Sequence, residues 1–219
     1  MLIIFILFTL KNGETLSPST TIERLPIYYR SLQKLDKKNV EVISSKELGE
    51  RIGIPSTQVR KDLSYYGEFG RRGVGYEVPV LLKHLRKILG LNQDWEIVLV
   101  GAGHLGHALV NYGGFRKLGL NINYVLDADS KKIGEEFGDV EISNVENLTE
   151  VVKESGAEMG IIAAPAEYAQ GIADELIEAG VKAIWNFAPT HIKVPHEIEL
   201  RNEDLSIGLI SLAYHLSRK

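Results

Sequence analysis

A glycine-rich turn follows the apolar segment Ile97–Val100, and the chain there reads Gly101-Ala102-Gly103-His104-Leu105-Gly106. In a G-x-G-x-x-G spacing, the first glycine permits a tight turn, the second lets the backbone approach a pyrophosphate, and the third allows a helix to pack closely on a strand. Asp127 lies 21 residues beyond Gly106, where a carboxylate accepts ribose hydroxyls and repels a 2′-phosphate. The pattern predicts a dinucleotide site of Rossmann type that prefers NAD to NADP, with coenzyme A as the alternative ligand.

Two later loops also follow apolar runs that resemble strands. One reads Ala163-Ala164-Pro165-Ala166 and the other Asn186-Phe187-Ala188-Pro189. Because ligands of parallel sheets bind at the carboxyl ends of the strands, we expect Ala164, Pro165 and Phe187 to line a nicotinamide pocket. Small apolar residues there would favour the uncharged dihydronicotinamide of NADH over the cationic ring of NAD+.

The first half of the chain carries a different pattern. Two short helices, predicted over 47–52 and 56–66 with a turn at Gly53, match a helix-turn-helix. Ser44 followed by Glu47 is a capping-box signal at the start of the first of these helices. On the second helix we expect DNA contacts from Ser56, Thr57, Gln58, Arg60, Lys61, Ser64 and Tyr65. The glycine-rich segment 67–75 predicts a β-hairpin wing that presents Arg71 and Arg72 to a groove.

Charge is divided in the same way as these motifs. Residues 11–90 carry 15 Lys/Arg and 9 Asp/Glu, a net +6, whereas the rest of the chain carries 10 and 20, a net −10. A basic segment attached to an acidic one suggests a module that binds a polyanion, joined to a sensor or an enzyme. The chain has no cysteine, which excludes disulfides, thiol switches and cysteine-ligated metal centres. We therefore expect any redox response to act through a bound cofactor, and we expect no metal site.

The remaining elements complete two domains. Helices are predicted over 16–38 and 79–89 in the first half, and a linker over 91–95. Strands 97–100, 122–126, 160–164 and 183–187 then alternate with helices 105–118, 144–154 and 167–179, and a final apolar helix spans 205–217. Alternating strands and helices predict a doubly wound parallel sheet. The fold class is therefore α/β with a separate α+β DNA-binding domain, a winged helix-turn-helix.

The segment from Val59 to Tyr76, VRKDLSYYGEFGRRGVGY, closely resembles the Rex family of redox-sensing repressors, as do the glycine turn, the Asn186–Pro189 loop and the order of the domains. The resemblance implies a homodimer that binds operator DNA when NADH is scarce and releases it when NADH binds. It also implies a C-terminal helix exchanged between subunits, and a switch formed by Arg30, Tyr112 and Asp204. The domains are then an extension over 1–15, a winged helix over 16–90, a Rossmann domain over 91–204 and a swapped helix over 205–219.

An NAD-dependent dehydrogenase and a coenzyme-A-binding regulator are the rival functions. A dehydrogenase needs a proton donor and a substrate domain beside the nicotinamide. None of the six histidines lies in a recognisable acid–base constellation, and no segment remains for a substrate domain. We therefore expect a regulator rather than an enzyme.

The first ten residues, MLIIFILFTL, are almost wholly apolar. They are too few to span a bilayer, which needs roughly 20 residues. They also lack the basic region and the small-residue cleavage site of a secretory signal. We expect a disordered or spuriously translated extension on a cytoplasmic protein, with a membrane-associated stub as the alternative.

Overall fold

The structure is a computed structural model that describes residues 18–71 and 73–218. The chain forms two compact units that divide between Asn92 and Gln93. The apolar extension expected over residues 1–15 lies outside the described residues. Within these ranges, no helix has both the length and the apolar character needed to cross a membrane.

The described part of the first unit combines four helices with a small antiparallel sheet. The helices are α1 Ser19–Asp36, α2 Ser45–Ile52, α3 Ser56–Ser64 and α4 Val78–Ile88, and the strands are β1 Val42–Ile43, β2 Gly70–Arg71 and β3 Gly75–Glu77. The strand order is β1-β3-β2. Helix α1 packs mainly against α4, and α3 packs mainly against α2. The unit is therefore a helix-turn-helix followed by a β-hairpin, which confirms the predicted winged helix.

Local chemistry fixes both ends of α2. The Ser44 hydroxyl accepts the backbone N–H of Glu47 at 3.1 Å, and the Glu47 carboxylate accepts the backbone N–H of Ser44 at 3.0 Å. This capping box satisfies two N–H groups that a helix start leaves without partners. Gly53 ends the helix with φ +70°, a conformation that costs glycine little.

The second unit is built on a sheet whose strands are β4 Trp95–Val100, β5 Leu120–Asp127, β6 Glu136–Phe137, β7 Val140–Asn144, β8 Met159–Ile162, β9 Ala183–Asn186 and β10 Glu199–Asn202. Their order is β10-β9-β8-β4-β5-β7-β6, and all the pairs are parallel except β6 with β7. The helices are α5 His104–Val110, α6 Leu148–Ser155, α7 Ala166–Ala179 and α8 Leu205–Leu216. This is the predicted doubly wound Rossmann architecture.

Strand β4 holds the centre of this sheet between β5 and β8. Its last four residues are all buried, as expected of a strand covered on both faces. Val98 and Val100 belong to one core cluster, which they share with residues of α6 and α7. Ile97 and Leu99 belong to a second cluster on the opposite face. The alternation of side chains along β4 therefore divides the core into two layers.

Two sequence predictions need correction. The helix expected over 105–118 is interrupted, because α5 ends at Val110 and only a 3-10 turn, Arg116–Leu118, follows it. Gly113 and Gly114 lie between these two elements, where glycine disfavours a continuous helix. Strands β6, β7 and β10 were not predicted. All three are short and rich in polar residues, so they lack the apolar run that predicted the other strands. Strands β6 and β10 are also the two edge strands of the sheet, each paired with a neighbour on one side only.

The close approach of α2 to the turn before α3 gives a stability prediction. A Cβ added at Gly49 would lie 2.3 Å from the carbonyl oxygen of Ile54, a backbone atom that cannot rotate away. Alanine gains about 1 kcal/mol of helix propensity, but overpacking of this kind costs about 1–3 kcal/mol or more. We expect Gly49→Ala to lower the melting temperature of the first unit in calorimetry.

Gly171→Ala is the matched control, because Gly171 lies inside α7 and an added Cβ has no neighbour within 4 Å. It should keep or raise the melting temperature of the second unit. A Gly49→Ala variant as stable as the wild type would mean that α2 and the turn can separate without cost.

Candidate nucleotide site and DNA-binding surface

The glycine turn between β4 and α5 is held by backbone contacts that exclude side chains. Gly101 has φ +111°, and a Cβ there would lie 2.5 Å from the carbonyl oxygen of Ala163. A Cβ at Gly106 would lie 2.2 Å from the carbonyl oxygen of Gly101. These are the tight turn and the close helix-to-strand packing that the sequence pattern requires at these two positions.

Gly103 differs from these two glycines because its surroundings are open. Its backbone is extended, with φ −89° and ψ −169°, and an added Cβ would meet nothing within 4 Å. Glycine is therefore not demanded here by the protein's own packing. An open backbone in the middle of the turn is what the approach of a pyrophosphate needs.

Asp127 ends β5 beside this turn. Its Oδ2 accepts the N–H of Ala102 at 2.7 Å and the ammonium of Lys132 at 3.1 Å, and its Oδ1 accepts the N–H of Asp129 at 2.8 Å. Burial alone would raise the pKa of Asp127, but these hydrogen bonds outweigh it and hold the pKa below the ordinary value of an aspartate. The carboxylate is therefore ionised and fixed in orientation.

A cavity of about 1040 Å³ opens at this edge of the sheet. The predicted cofactor residues that line it are Gly101, Gly103, Asp127, Ala164 and Pro165. The other five do not line it: Ala102 is buried, His104 and Leu105 begin α5, Gly106 is packed in the turn, and Phe187 follows β9. The structure therefore gathers five of the ten predicted residues around one space large enough for a nucleotide.

Sequence reasoning missed several side chains of this cavity. Lys132 follows β5, Val145 follows β7, and Tyr168 and Ile172 lie on α7. Prediction of β7 would have located Val145, because ligand-contacting loops follow the carboxyl ends of parallel strands. Tyr168 and Ile172 are one helical turn apart and therefore lie on the same face of α7. Their spacing on the helix that follows β8 is the sequence signal that could have located them.

Phe187 lies outside the cavity and takes part in a row of aromatic rings. Its ring centroid is 4.4 Å from that of Trp185, which is 6.2 Å from Phe115, which is in turn 4.9 Å from Tyr112. Tyr112 is about half exposed at the end of this row. The row connects the loop after β9 to one of the three predicted switch residues.

The two other predicted switch residues lie on helices. Arg30 is exposed on α1. Asp204 is the N-cap of α8, where its Oδ1 accepts the N–H of Ser206 at 2.8 Å. Hydrogen bonding from Ser206 lowers the pKa of Asp204, so the carboxylate is ionised at neutral pH.

On α3, one face of the helix is exposed and polar. Thr57, Arg60, Lys61 and Ser64 are all exposed and follow the i, i+3, i+4, i+7 spacing of a single helical face. Arg60 donates to the Ser45 hydroxyl at 2.9 Å, and Ser64 donates to the Lys61 carbonyl at 2.8 Å. Four of the predicted DNA contacts therefore form a continuous surface.

The other predicted DNA contacts are distributed around this face. Ser56 and Tyr65, near the two ends of α3, are half-buried. The Gln58 amide points toward a partner within the unit, since it donates to Asp62 at 2.7 Å. Arg71 is on the hairpin, 3.7 Å from Glu77, in an exposed ion pair of little energetic weight. Arg72 lies outside the described residues.

A groove of about 760 Å³ separates α3 from the hairpin. It is lined by Ser45, Arg60 and Ser64 on the helix side and by Phe69 and Arg71 on the hairpin side. Gly75 has φ +115°, and a Cβ there would lie 2.5 Å from the Ile43 carbonyl oxygen, so the hairpin is held close to β1. Basic side chains on both sides of the groove suit a polyanion.

Known protein families match each of the two units separately. Residues 18–64 match the family described as "Putative DNA-binding protein N-terminus", and residues 92–190 match the family described as "CoA binding domain". The redox-sensing transcriptional repressor Rex of Desulfitobacterium hafniense is 50% identical over 202 residues, which cover 92% of this chain and 96% of that protein. Rex of Carboxydothermus hydrogenoformans is 49% identical over 201 residues, with 92% and 97% covered.

Solved structures agree with these sequence matches. The crystal structure of RSP in complex with β-NAD+ and operator DNA is similar with a TM-score of 0.89 and 40% identity, covering 93% of this chain and 94% of that one. RSP in complex with β-NADH is similar with a TM-score of 0.85 and 39% identity, covering 93% and 96%.

A basic winged helix and an open dinucleotide-type site on one chain define a class of protein, the transcription regulators that respond to a nucleotide. Within that class, the chain belongs to the Rex family of redox-sensing transcriptional repressors. Its Rossmann fold therefore serves a regulator and not an enzyme.

The contrast between Gly103 and Gly106 gives a prediction. We expect Gly103→Ala to keep the melting temperature of the second unit, because its Cβ meets no protein atom, yet to weaken NADH binding at least tenfold by entering the space above the turn. We expect Gly106→Ala to lower the melting temperature, because its Cβ meets backbone. Calorimetry and NADH titration distinguish the two. Unchanged NADH affinity in Gly103→Ala would mean that the nucleotide binds elsewhere.

Proposed function

We propose that this repressor binds operator DNA through α3 and the hairpin wing while NADH is scarce, and that it releases the DNA when NADH occupies the cavity beside Asp127. The observation that carries the proposal is the open backbone at Gly103 next to an ionised, oriented carboxylate. A regulator of transcription works where the chromosome lies, so we assign the protein to the cytoplasm.

For the cofactor, we propose that NADH and NAD+ bind with the pyrophosphate over the glycine turn and the adenosine ribose at Asp127. A carboxylate offers about four lone-pair sites, and three are already used by Ala102, Asp129 and Lys132. One site on Oδ1 is left for a ribose hydroxyl, and the Lys132 ammonium is placed to donate to the other hydroxyl. The apolar side chains of Val145 and Ile172 line the same cavity and suit a purine ring.

For DNA, we propose that the exposed face of α3 enters the major groove while the hairpin contacts the backbone or the minor groove. Thr57 lies in the first turn of the helix, the part that reads bases in helix-turn-helix proteins, and Arg60 and Lys61 follow about one turn later on the same face. Ser64 and Arg71 lie further out along the groove between helix and hairpin. Ser56, Tyr65 and Arg72 are the other proposed contacts, whereas the amide of Gln58, the remaining predicted contact, is engaged by Asp62.

We propose that the repressor is a homodimer in which α8 inserts into the partner. None of the residues of α8 is buried. Its seven large apolar side chains are between 52% and 71% exposed: Leu205, Ile207, Leu209, Ile210, Leu212, Tyr214 and Leu216. Burial of apolar surface is favourable by roughly 25 cal/mol per Å² of area removed from water. Monomeric proteins rarely expose continuous apolar patches of this size. A second copy is the occupant that the family resemblance implies.

For the switch, we propose that Asp204 alternates between an ion pair with Arg30 and a hydrogen bond with the Tyr112 hydroxyl. Tyr112 is exposed and Asp204 is ionised, so each is ready for such a contact. The aromatic row from Phe187 to Tyr112 provides a route by which a ligand near the loop after β9 would displace Tyr112.

The test of this function is DNA binding by fluorescence anisotropy at fixed salt, because phosphate contacts make affinity strongly salt-dependent. The probe is a duplex that the protein selects from a random-sequence pool, compared with a scrambled duplex. NADH should release the selected duplex at a far lower concentration than NAD+ or NADPH. Release by coenzyme A alone would favour the ligand of the "CoA binding domain" description, and tight binding indifferent to every nucleotide would overturn the proposal.

The dimer proposal gives its own prediction. Leu209→Asp places a charge on the apolar helix, which is unfavourable wherever that helix is buried in an assembly. Ser211→Asp adds the same charge to the same helix about 200° around its axis. In analytical ultracentrifugation we expect the wild type to be a dimer and Leu209→Asp to shift toward the monomer by more than Ser211→Asp. A wild-type monomer would contradict the exchange of helices.

A further inference from the structure

The side chain of Asp62 lies inside the first unit although it comes from the recognition helix α3. It is completely buried, and four side chains donate hydrogen bonds to it. Arg24 donates through both Nε and Nη2, at 2.6 and 2.7 Å, and the Tyr28 hydroxyl donates at 2.6 Å. The Thr21 hydroxyl and the Gln58 amide donate at 3.1 and 2.7 Å. Every oxygen of this carboxylate is therefore satisfied by the protein itself.

The donors come from two helices. Thr21, Arg24 and Tyr28 follow the i, i+3, i+7 spacing of one face of α1, and Gln58 lies one turn before Asp62 on α3. Although α1 packs mainly on α4 and α3 mainly on α2, the Asp62 cluster forms a polar link between α1 and α3. Two bonds from one guanidinium fix the orientation of the carboxylate as well as its distance.

Stability alone does not account for this arrangement. A buried ion pair loses hydration that its internal attraction only partly returns, and well-packed apolar residues often serve as well or better. In some proteins a buried polar cluster of this kind is retained because it specifies one geometry. The helix whose geometry it defines is the one that carries the exposed face of Thr57, Arg60, Lys61 and Ser64.

We infer that Asp62 is a positioning residue for DNA recognition, which fixes α3 on α1 and turns the Gln58 amide into the unit and away from DNA. The inference rests on the proposed DNA-binding function. It makes the contribution of Gln58 indirect: Gln58 secures the carboxylate rather than reading a base. It also makes α1 and α3 one rigid body, so that a displacement of α1, which carries Arg30, displaces the recognition helix by the same amount.

The cluster keeps its charge over the working pH range. Burial alone would raise the pKa of Asp62, but the hydrogen bonds from Arg24, Tyr28, Gln58 and Thr21 outweigh it and lower the pKa to about 2. The same carboxylate, together with burial, raises the pKa of Tyr28. A group with a lowered folded pKa stabilises the protein above its unfolded pKa, and this contribution is lost only as the pH falls toward 2. DNA recognition should therefore not titrate through this cluster near neutral pH.

The decisive variant is Tyr28→Phe, with Tyr29→Phe as its matched control. Both tyrosines are buried on α1, so neither can touch DNA. The Tyr28 hydroxyl reaches Asp62, whereas the Tyr29 hydroxyl lies 3.3 Å from Arg86 and outside the cluster. Both changes remove one hydroxyl and no charge. Binding is measured at a temperature at which circular dichroism shows all the proteins fully folded.

We expect Tyr28→Phe to weaken binding of the selected duplex roughly fivefold, since a hydrogen bond to a charged group is lost. Binding of the scrambled duplex and of NADH should be unchanged. Tyr29→Phe should leave all three affinities unchanged. Gln58→Ala should weaken the selected duplex without changing which base is preferred at any position, and its effect should be less than additive with that of Tyr28→Phe because both act through one carboxylate.

Two results would overturn the inference. One is a Tyr28→Phe variant with a lowered melting temperature but wild-type affinity for the selected duplex, which would make the cluster purely structural. The other is a Gln58→Ala variant that changes the preferred base at one position, which would make Gln58 a direct reader. Failure of the wild type to select any duplex would instead refute the proposed function, and it is seen before any variant is compared.

Discussion

The nucleotide site depends on how closely three stretches of backbone approach one another at the end of β4. The turn at Gly101 lies against the Ala163 carbonyl, and the first turn of α5 lies against the Gly101 carbonyl at Gly106. No side chain fits at either contact. Because the packing is made by backbone, Gly103 between them is left uncovered, and the Ala102 N–H is directed at Asp127. The open surface and the oriented carboxylate are two results of one constraint.

Much of the nucleotide site could be predicted from the sequence, because the glycine turn and the position of the carboxylate follow from backbone chemistry. A G-x-G-x-x-G after an apolar run and an acidic residue about 20 positions later leave few alternative arrangements. The capping box at Ser44 and Glu47 located the start of α2 for the same reason, since it depends on residues three positions apart. Local rules of this kind need no knowledge of tertiary packing.

The remainder depended on packing. Asp62 lies in a polar stretch of α3, where the sequence gives no sign of burial, and the approach of α1 encloses it completely. The orientation of Gln58 follows from that burial. Lys132 follows β5, and Val145 begins a 3-10 turn directly after β7, a strand too short and polar to recognise. Phe187 is predicted to line the nicotinamide pocket from its place after β9; its ring packs against Trp185 and does not line the cavity beside Asp127, and its contact with the nicotinamide stays a prediction.

The exposed apolar helix α8 has a consequence for how much repressor a cell must make. A lone chain presents the side chains of Leu209 and Leu212 to water, and in the proposed dimer a second chain would cover this surface. An assembly of two copies forms in proportion to the square of the concentration of free chains, and its apparent stability rises with that concentration. At low expression, the occupancy of DNA would then fall more steeply than the number of chains. Gene dosage would therefore set the level of repression together with the nucleotide pool.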